Sequence, residues 1–110
     1  MIKPIPKHLL PDAVIYEEYE GSDRWGESWK TPITLSNVRV KLESSLSVST
    51  IREQSEYKAL LFFDAVNSTS DMPFLFKEKS KVTHNGTEYV VNGVTPVVAF
   101  KLHHWEVELL

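Results

Sequence analysis

Apolar and polar positions alternate along several stretches of the chain, a pattern typical of β-strands with one buried and one solvated face. The stretch 12–20 places Val14 and Tyr16 on one face. The stretch 29–43 ends in a regular alternation that begins at Val38, and the last eight residues, 103–110, alternate strictly. These three stretches predict antiparallel strands, each with one face toward a core.

A different pattern covers residues 59–65, which are apolar on both faces except for Asp64. This predicts a central strand that is buried on both sides. Further along, Asn85-Gly86 lies between the strand-like runs 82–84 and 87–91, and Asn-Gly supplies the positive φ angles of a type I′ hairpin turn. A second Asn-Gly, Asn92-Gly93, falls inside a strand-like run and predicts a bulge.

Several segments interrupt the strands. Residues 1–11 contain three prolines and predict an extended arm, since proline removes a backbone donor and keeps its predecessor extended. The polar residues 21–28 predict a turn, and Ser36-Asn37 predicts a bulge or bend. Residues 43–57 are rich in serine and predict a long, mobile loop. The stretch 97–101 lacks a polar turn before the last strand.

Composition supports the same fold class. The chain of 110 residues contains 12 Val, 5 Ile and 7 Thr but only 4 Ala, and β-branched residues favour strands. We therefore expect one all-β domain over residues 1–110. Its architecture is predicted as a small β-barrel or sandwich of about six to seven mostly antiparallel strands, with an extended N-terminal arm and a long polar loop.

Charge and composition exclude several classes of protein. There is no cysteine, so neither a disulfide framework nor a cysteine-ligated metal is possible. No apolar run approaches the length of a membrane span, and the proline-rich start does not resemble a signal peptide, so we expect a protein of the cytosol or of an assembly formed there. The net charge of −3 argues against nucleic-acid binding as the main function.

The titratable residues do not form a recognisable catalytic or metal site. Neighbours on a strand point to opposite faces, so His103 and His104 are not expected to share one ion without a local distortion. A buried Asp64 would be a catalytic candidate, but we favour a structural role in which it caps the turn over residues 67–69. No nucleophile elbow or phosphate-binding loop is present, so we expect no enzyme activity, catalytic residue, metal or cofactor.

Two features suggest surface contacts. Lys77, Lys79 and Lys81 recur at period 2, and on one strand they would form a basic stripe with weak phosphate contacts, although a solvated, protected sheet edge is the favoured reading. Trp25 and Trp29 flank a polar turn and fit a core cluster or a protein interface equally well.

Four blocks of sequence, in order along the chain, carry a family resemblance. They are Lys3-Pro4-Ile5-Pro6-Lys7-x-Leu9-Leu10, Ala59-Leu60-Leu61-Phe62-Phe63-Asp64-Ala65-x-Asn67-Ser68, Phe76-Lys77-Glu78-Lys79-Ser80-Lys81-Val82-x-x-x-Gly86-x-Glu88-Tyr89 and Lys101-Leu102-His103-His104-Trp105-Glu106-Val107-Glu108-Leu109. Together they resemble the minor capsid proteins of tailed bacteriophages of Gram-positive hosts, a family similar to the head-completion or stopper proteins of the head–tail connector.

The resemblance implies a non-catalytic virion protein at the head–tail junction, made in the host cytoplasm. It would form a ring below the portal and adaptor proteins, extend or close the DNA channel and offer a docking surface to tail proteins. DNA would pass without specific binding, which the mild acidity of the chain allows. The resemblance implies neither a membrane partner nor a cofactor.

On this basis we expect contacts between subunits from two groups of residues. The candidate interface comprises Ile2, Ile5, Leu9, Leu10, Trp25 and Trp29, and the candidate channel-facing or neighbour-contacting loop presents Leu46, Val48, Ile51 and Arg52. If the arm docks on an adjacent subunit, deleting residues 2–10 should leave the melting temperature of the monomer nearly unchanged. The alternative function is a monomeric β-barrel that binds single-stranded nucleic acid or another protein.

Overall fold

The computed structural model describes residues 3–42 and 58–110. Within these residues one short 3-10 turn, Lys7–Leu9, precedes nine strands: β1 Asp12–Glu17, β2 Tyr19–Asp23, β3 Gly26–Trp29, β4 Ile33–Leu42, β5 Ala59–Asp64, β6 Thr69–Ser70, β7 Lys81–His84, β8 Thr87–Ala99 and β9 Lys101–Leu109. The prediction of an all-β fold is confirmed.

Six strands close into an antiparallel barrel. The order around it is β1-β7-β8-β9-β5-β4, and the pairing of β1 with β4 completes the circle. The two-residue β6 pairs with β4 where β5 has ended, and β2 and β3 form a separate two-stranded ribbon. Closure leaves each barrel strand with two partners over part of its length, which protects the sheet from pairing with other chains.

The barrel encloses the core, and the alternating strand positions fill it as expected. Eleven buried side chains form one cluster, made of Val14, Tyr16, Leu35, Val38, Ala59, Leu61, Val82, Tyr89, Val91, Val107 and Leu109. Every barrel strand contributes to this cluster, so the inward-facing residues of all six strands hold the barrel together.

The three local backbone predictions are confirmed. Asn85 and Gly86 both have positive φ, 51° and 82°, as a type I′ turn requires between β7 and β8. Asn92 is an extra residue between the pairs Val91↔Leu109 and Gly93↔Glu108, which makes it a bulge. Asn37 likewise stands outside the register of β1 and β4, with φ of 56°.

The polar segment 21–28 is more than the turn that the sequence predicted. Residues 19–29 form the β2–β3 ribbon, whose two-residue turn is Arg24-Trp25. At its base the Lys30 N–H donates to the Glu18 carbonyl oxygen at 2.8 Å. The few apolar residues of the segment favour a turn, and the contact that supports the ribbon, from the Trp29 indole N–H to the distant Lys79 carbonyl, is not visible in the local sequence.

The N-terminal arm packs on its own barrel, which differs from the expectation that it docks on an adjacent subunit. Leu10 is only 2% exposed, and Ile5 and Leu10 lie beside Phe62 of β5. A side chain that is already buried offers no surface to a neighbour. Leu10 therefore stabilises the fold of its own subunit and does not belong to the candidate interface. Leu9 remains 42% exposed.

Part of the predicted contact surface lies outside the described residues. Ile2 of the arm and the loop residues Leu46, Val48, Ile51 and Arg52 belong to this part, and their expected contacts with a neighbour or the channel stay predictions.

Candidate interaction surfaces

One end of the barrel collects three chain connections because β1, β5 and β8 run in the same direction. Two antiparallel pairings lead from β1 through β4 to β5, and two lead from β1 through β7 to β8. The C-terminal ends of β1, β5 and β8 therefore lie at the same end of the barrel. The β2–β3 ribbon follows β1, the turn 65–68 follows β5, and the β8–β9 hairpin turn follows β8. The short strand β6 also ends here, which adds the connection that leads to β7.

This end of the barrel exposes large apolar side chains, and we call it the apolar end. Its members are Trp25, Val66, Met72, Leu75, Val98 and Phe100. Each of them is at least 60% exposed. Isolated exposed apolar residues are common on any protein surface, but Val66 and Phe100 line one groove and so share a surface.

Phe100 is the most exposed member of the apolar end. It forms the tip of the β8–β9 hairpin, between the paired residues Ala99 and Lys101, and is 99% exposed. Its φ is 67°, a left-handed conformation that costs a non-glycine residue energy. A groove of about 520 Å³ beside the tip is lined by Pro4, Val66 and His103 among others.

The two tryptophans of the predicted interface have different surroundings. Trp25 is 83% exposed at the ribbon turn, where the Arg24 guanidinium lies 5.3 Å from its ring centroid. Trp29 is half-buried, stacks edge-on against Tyr19 and donates its indole N–H to the Lys79 carbonyl oxygen at 2.8 Å. Trp29 therefore fastens the ribbon to the barrel, while Trp25 is available for contact.

The three lysines do not lie along one strand, so the geometry assumed for a basic stripe is wrong. Lys77 lies in an irregular segment, Lys79 has a positive φ of 72°, and only Lys81 belongs to β7. Tyr16 accounts for this path. Its hydroxyl donates to the Leu75 carbonyl at 2.6 Å and accepts from the Lys77 N–H at 3.0 Å, which holds the segment across the barrel end.

Each of these lysines also has an intramolecular partner. Lys77 pairs with the Glu18 carboxylate at 3.3 Å, the Lys79 ammonium lies 5.6 Å from the Tyr19 ring centroid, and Lys81 pairs with Glu88 at 3.7 Å. Contact with phosphate stays a prediction that the geometry does not favour. The alternative function, binding of single-stranded nucleic acid, therefore loses the basic stripe that was its main support.

Glu18 is the buried charge beneath the ribbon. Burial opposes its ionisation, but the Leu75 N–H at 2.9 Å and the ammonium groups of Lys30 and Lys77, each at 3.3 Å, outweigh this, so the pKa of Glu18 is lowered. The carboxylate joins the ribbon, through Lys30, to the segment that crosses the barrel end.

Asp64 has the structural role that the sequence favoured, with one addition. Its Oδ2 accepts from the N–H groups of Val66 and Asn67 at 2.9 and 2.8 Å, which caps the turn after β5. Its Oδ1 accepts from the Ile5 N–H of the arm at 2.9 Å, and Asn67 Nδ2 donates to the Ile5 carbonyl at 2.7 Å. Desolvation opposes ionisation, but these three N–H groups and His103 prevail and lower the pKa of Asp64.

The prediction that His103 and His104 point apart is wrong, because His103 is a bulge residue. Val97 pairs with His104 and Val98 with Leu102, so His103 stands outside the register. The two Nδ1 atoms lie 2.8 Å apart, His103 Nε2 lies 2.6 Å from the Lys3 carbonyl oxygen, and His104 Nε2 lies 2.9 Å from Glu106 Oε2. A bulge is not visible in the local sequence, since it arises from pairing with β8.

Within residues 3–42 and 58–110, no group of three or more histidine, aspartate or glutamate side chains is arranged to hold a metal ion. In the same part of the chain, no helix has both the length and the apolar character needed to cross a bilayer.

Comparison with known proteins places the chain in a family. A family model described as minor capsid protein matches residues 6–109, which is nearly the whole chain. No curated protein and no solved structure gave a significant match. The chain thus belongs to the minor capsid protein family and is a structural protein of the bacteriophage virion.

Proposed function

We propose that this protein is a component of the head–tail connector, where it assembles as a ring below the portal and adaptor. In this position it extends or closes the DNA channel and presents a docking surface to the tail. The observation that carries the proposal is the apolar end, which exposes six large apolar side chains on one end of a closed barrel. Membership of the minor capsid family supports it.

The apolar end suits contact with a protein more than contact with DNA. Aromatic anchors such as Trp25 and Phe100 dominate the binding energy of protein interfaces when they enter a pocket of the partner. Two of the basic residues near this end, Lys30 and Lys77, are paired with Glu18. A channel protein that passes DNA without holding it requires such neutralised surfaces.

We propose that the ring forms through contacts between copies of this chain. A head-to-tail contact between different surfaces of successive subunits generates a closed ring when the rotation closes. In our proposal the apolar end contacts the next connector component. The loop 43–57 is attached at Leu42 and Ala59, at the end of the barrel opposite Phe100.

Phage complementation tests the proposal. A phage lacking the gene is supplied with the wild-type protein, with Phe100→Ser, or with Val90→Ser, which replaces an exposed apolar residue on the side of β8. We expect Phe100→Ser to yield heads without attached tails, and Val90→Ser to yield normal particles. Normal titre with Phe100→Ser would contradict the assignment of the apolar end as the docking surface.

A further inference from the structure

We propose that His103 and His104 form a proton-dependent latch for the N-terminal arm. The latch consists of three short contacts in a row: the Lys3 carbonyl to His103 Nε2, His103 Nδ1 to His104 Nδ1, and His104 Nε2 to the Glu106 carboxylate. The contact with Lys3 joins residues 100 positions apart in the chain. It is separate from the clamp that Asp64 and Asn67 form on Ile5.

Counting donors and acceptors fixes the number of protons in this row. A carbonyl oxygen and a carboxylate can only accept, so both Nε2 atoms must carry hydrogen to make the two outer bonds. The central contact also needs one hydrogen between the two Nδ1 atoms. Four ring nitrogens therefore hold three protons, and the pair carries one positive charge.

Carboxylates near both rings stabilise the positive charge of the pair. Asp64 on β5 is buried and attracts a positive charge on His103, while Glu106 of β9 lies 2.9 Å from His104 Nε2. On the β8 side, His104 lies opposite the apolar Val97. The basic Lys101 lines the same groove as His103 and, like Lys3, is exposed to solvent.

Loss of the shared proton forces one of the three bonds to break. If both Nε2 atoms kept their hydrogens, two lone pairs would face each other across 2.8 Å. The strand and the bulge fix both rings, and the bond between His104 and the carboxylate is charge-assisted. The Lys3 carbonyl, in contrast, lies at an exposed site and can turn to water. The bond to Lys3 is the one released.

The latch consequently holds the start of the arm while the pair carries the shared proton and releases it when a rise in pH removes that proton. Ile5 stays clamped by Asp64 throughout. Full protonation of both rings at still lower pH would also break the central bond, so the latch is tightest when the pair holds one extra proton.

Long-range ¹H–¹⁵N spectra of the histidine rings, recorded with EDTA present, test the latch together with relaxation of the Lys3 amide. At the acid end of the titration, before both rings are fully protonated, we expect three hydrogens on the four ring nitrogens and an ordered Lys3. At the alkaline end, after the shared proton is lost, we expect His103 neutral with its hydrogen on Nδ1, and a Lys3 order parameter below about 0.6.

Two variants separate the latch from a merely structural role. His104→Phe keeps a ring but removes the competing nitrogen, so neutral His103 can hold Lys3 through Nε2–H and Lys3 should stay ordered at high pH. His84→Gln, on β7, changes a histidine that pairs with Asp12 instead and should behave as wild type. A neutral His103 with its hydrogen on Nε2 and an ordered Lys3 at high pH in the wild type would overturn the proposal.

Discussion

Replacing Asp64 should destabilise the protein far more than replacing an exposed aspartate that makes a similar bond. The Asp64 carboxylate is fully buried and accepts three backbone N–H groups, two from the turn after β5 and one from Ile5. A hydrogen bond to a charged group contributes about 1.5 to 3 kcal/mol. The three bonds share one acceptor and are not additive, so we expect Asp64→Ala to lower the free energy of unfolding by about 3 to 5 kcal/mol.

Asp64→Asn is the finer perturbation. It keeps the shape and one carbonyl oxygen but turns the other oxygen into a donor that faces a backbone N–H, so either the turn or the arm contact is lost. We expect a cost of about 1 to 3 kcal/mol. Urea unfolding at neutral pH, followed by tryptophan fluorescence and circular dichroism, measures both variants.

Asp71→Asn provides the matched control, because Asp71 accepts the Thr34 N–H at 3.1 Å at an exposed site. Its cost should stay below about 1 kcal/mol, since exposed hydrogen bonds are replaced by bonds to water. If Asp64→Ala were no more costly than Asp71→Asn, the reasoning that Asp64 fastens both the turn and the arm would be refuted.

Three further predictions concern acid stability, the arm and the hairpin turn. The pKa values of Asp64 and Glu18 are lowered, so the stability that their charges contribute is complete above the ordinary carboxyl range near pH 4 and is lost as the pH falls through their folded-state pKa values. The free energy of unfolding should therefore fall less on acidification in the double variant Asp64→Asn with Glu18→Gln than in wild type. Deleting residues 1–10 should lower the unfolding free energy by more than about 2 kcal/mol in urea, because burial of Leu10 alone contributes that much. Gly86→Ala should cost about 1 kcal/mol in the same assay, since the turn needs positive φ but leaves space for a methyl group.

Distinct results would contradict these three predictions. An acid transition unchanged by the double carboxyl variant would show that the two groups do not stabilise the fold through their charge. An unchanged melting temperature after arm deletion would restore the expectation from sequence that the arm docks on a neighbour. A Gly86→Ala variant as stable as wild type would mean that the turn tolerates another geometry.

The barrel strands and the sharp turns could be predicted because their signals are local. The spacing of Val14 and Tyr16 predicts the buried face of a strand, and Asn85-Gly86 predicts a hairpin turn. Both predictions need only residues that are close together in the sequence. Asp64 was predicted as a turn cap from its place before Asn67, and the structure confirms it.

The features that were missed depend on distant partners. The arm is fastened by Asp64 and Asn67, which lie about sixty positions away. The rings of His103 and His104 meet because a register shift against β8 makes a bulge, and no neighbouring residue signals it. Lys77 and Lys79 leave strand geometry because Tyr16, far along the chain, holds their segment across the barrel end.

Light scattering coupled to size exclusion tests the central claim most directly. The protein is measured alone and after mixing with the adaptor ring from the same phage, as wild type, Phe100→Ser and Val90→Ser. Our account predicts a multi-copy complex for wild type and Val90→Ser and its loss for Phe100→Ser. A wild-type protein that never joins the ring, or a Phe100→Ser variant that joins it equally well, would contradict the account.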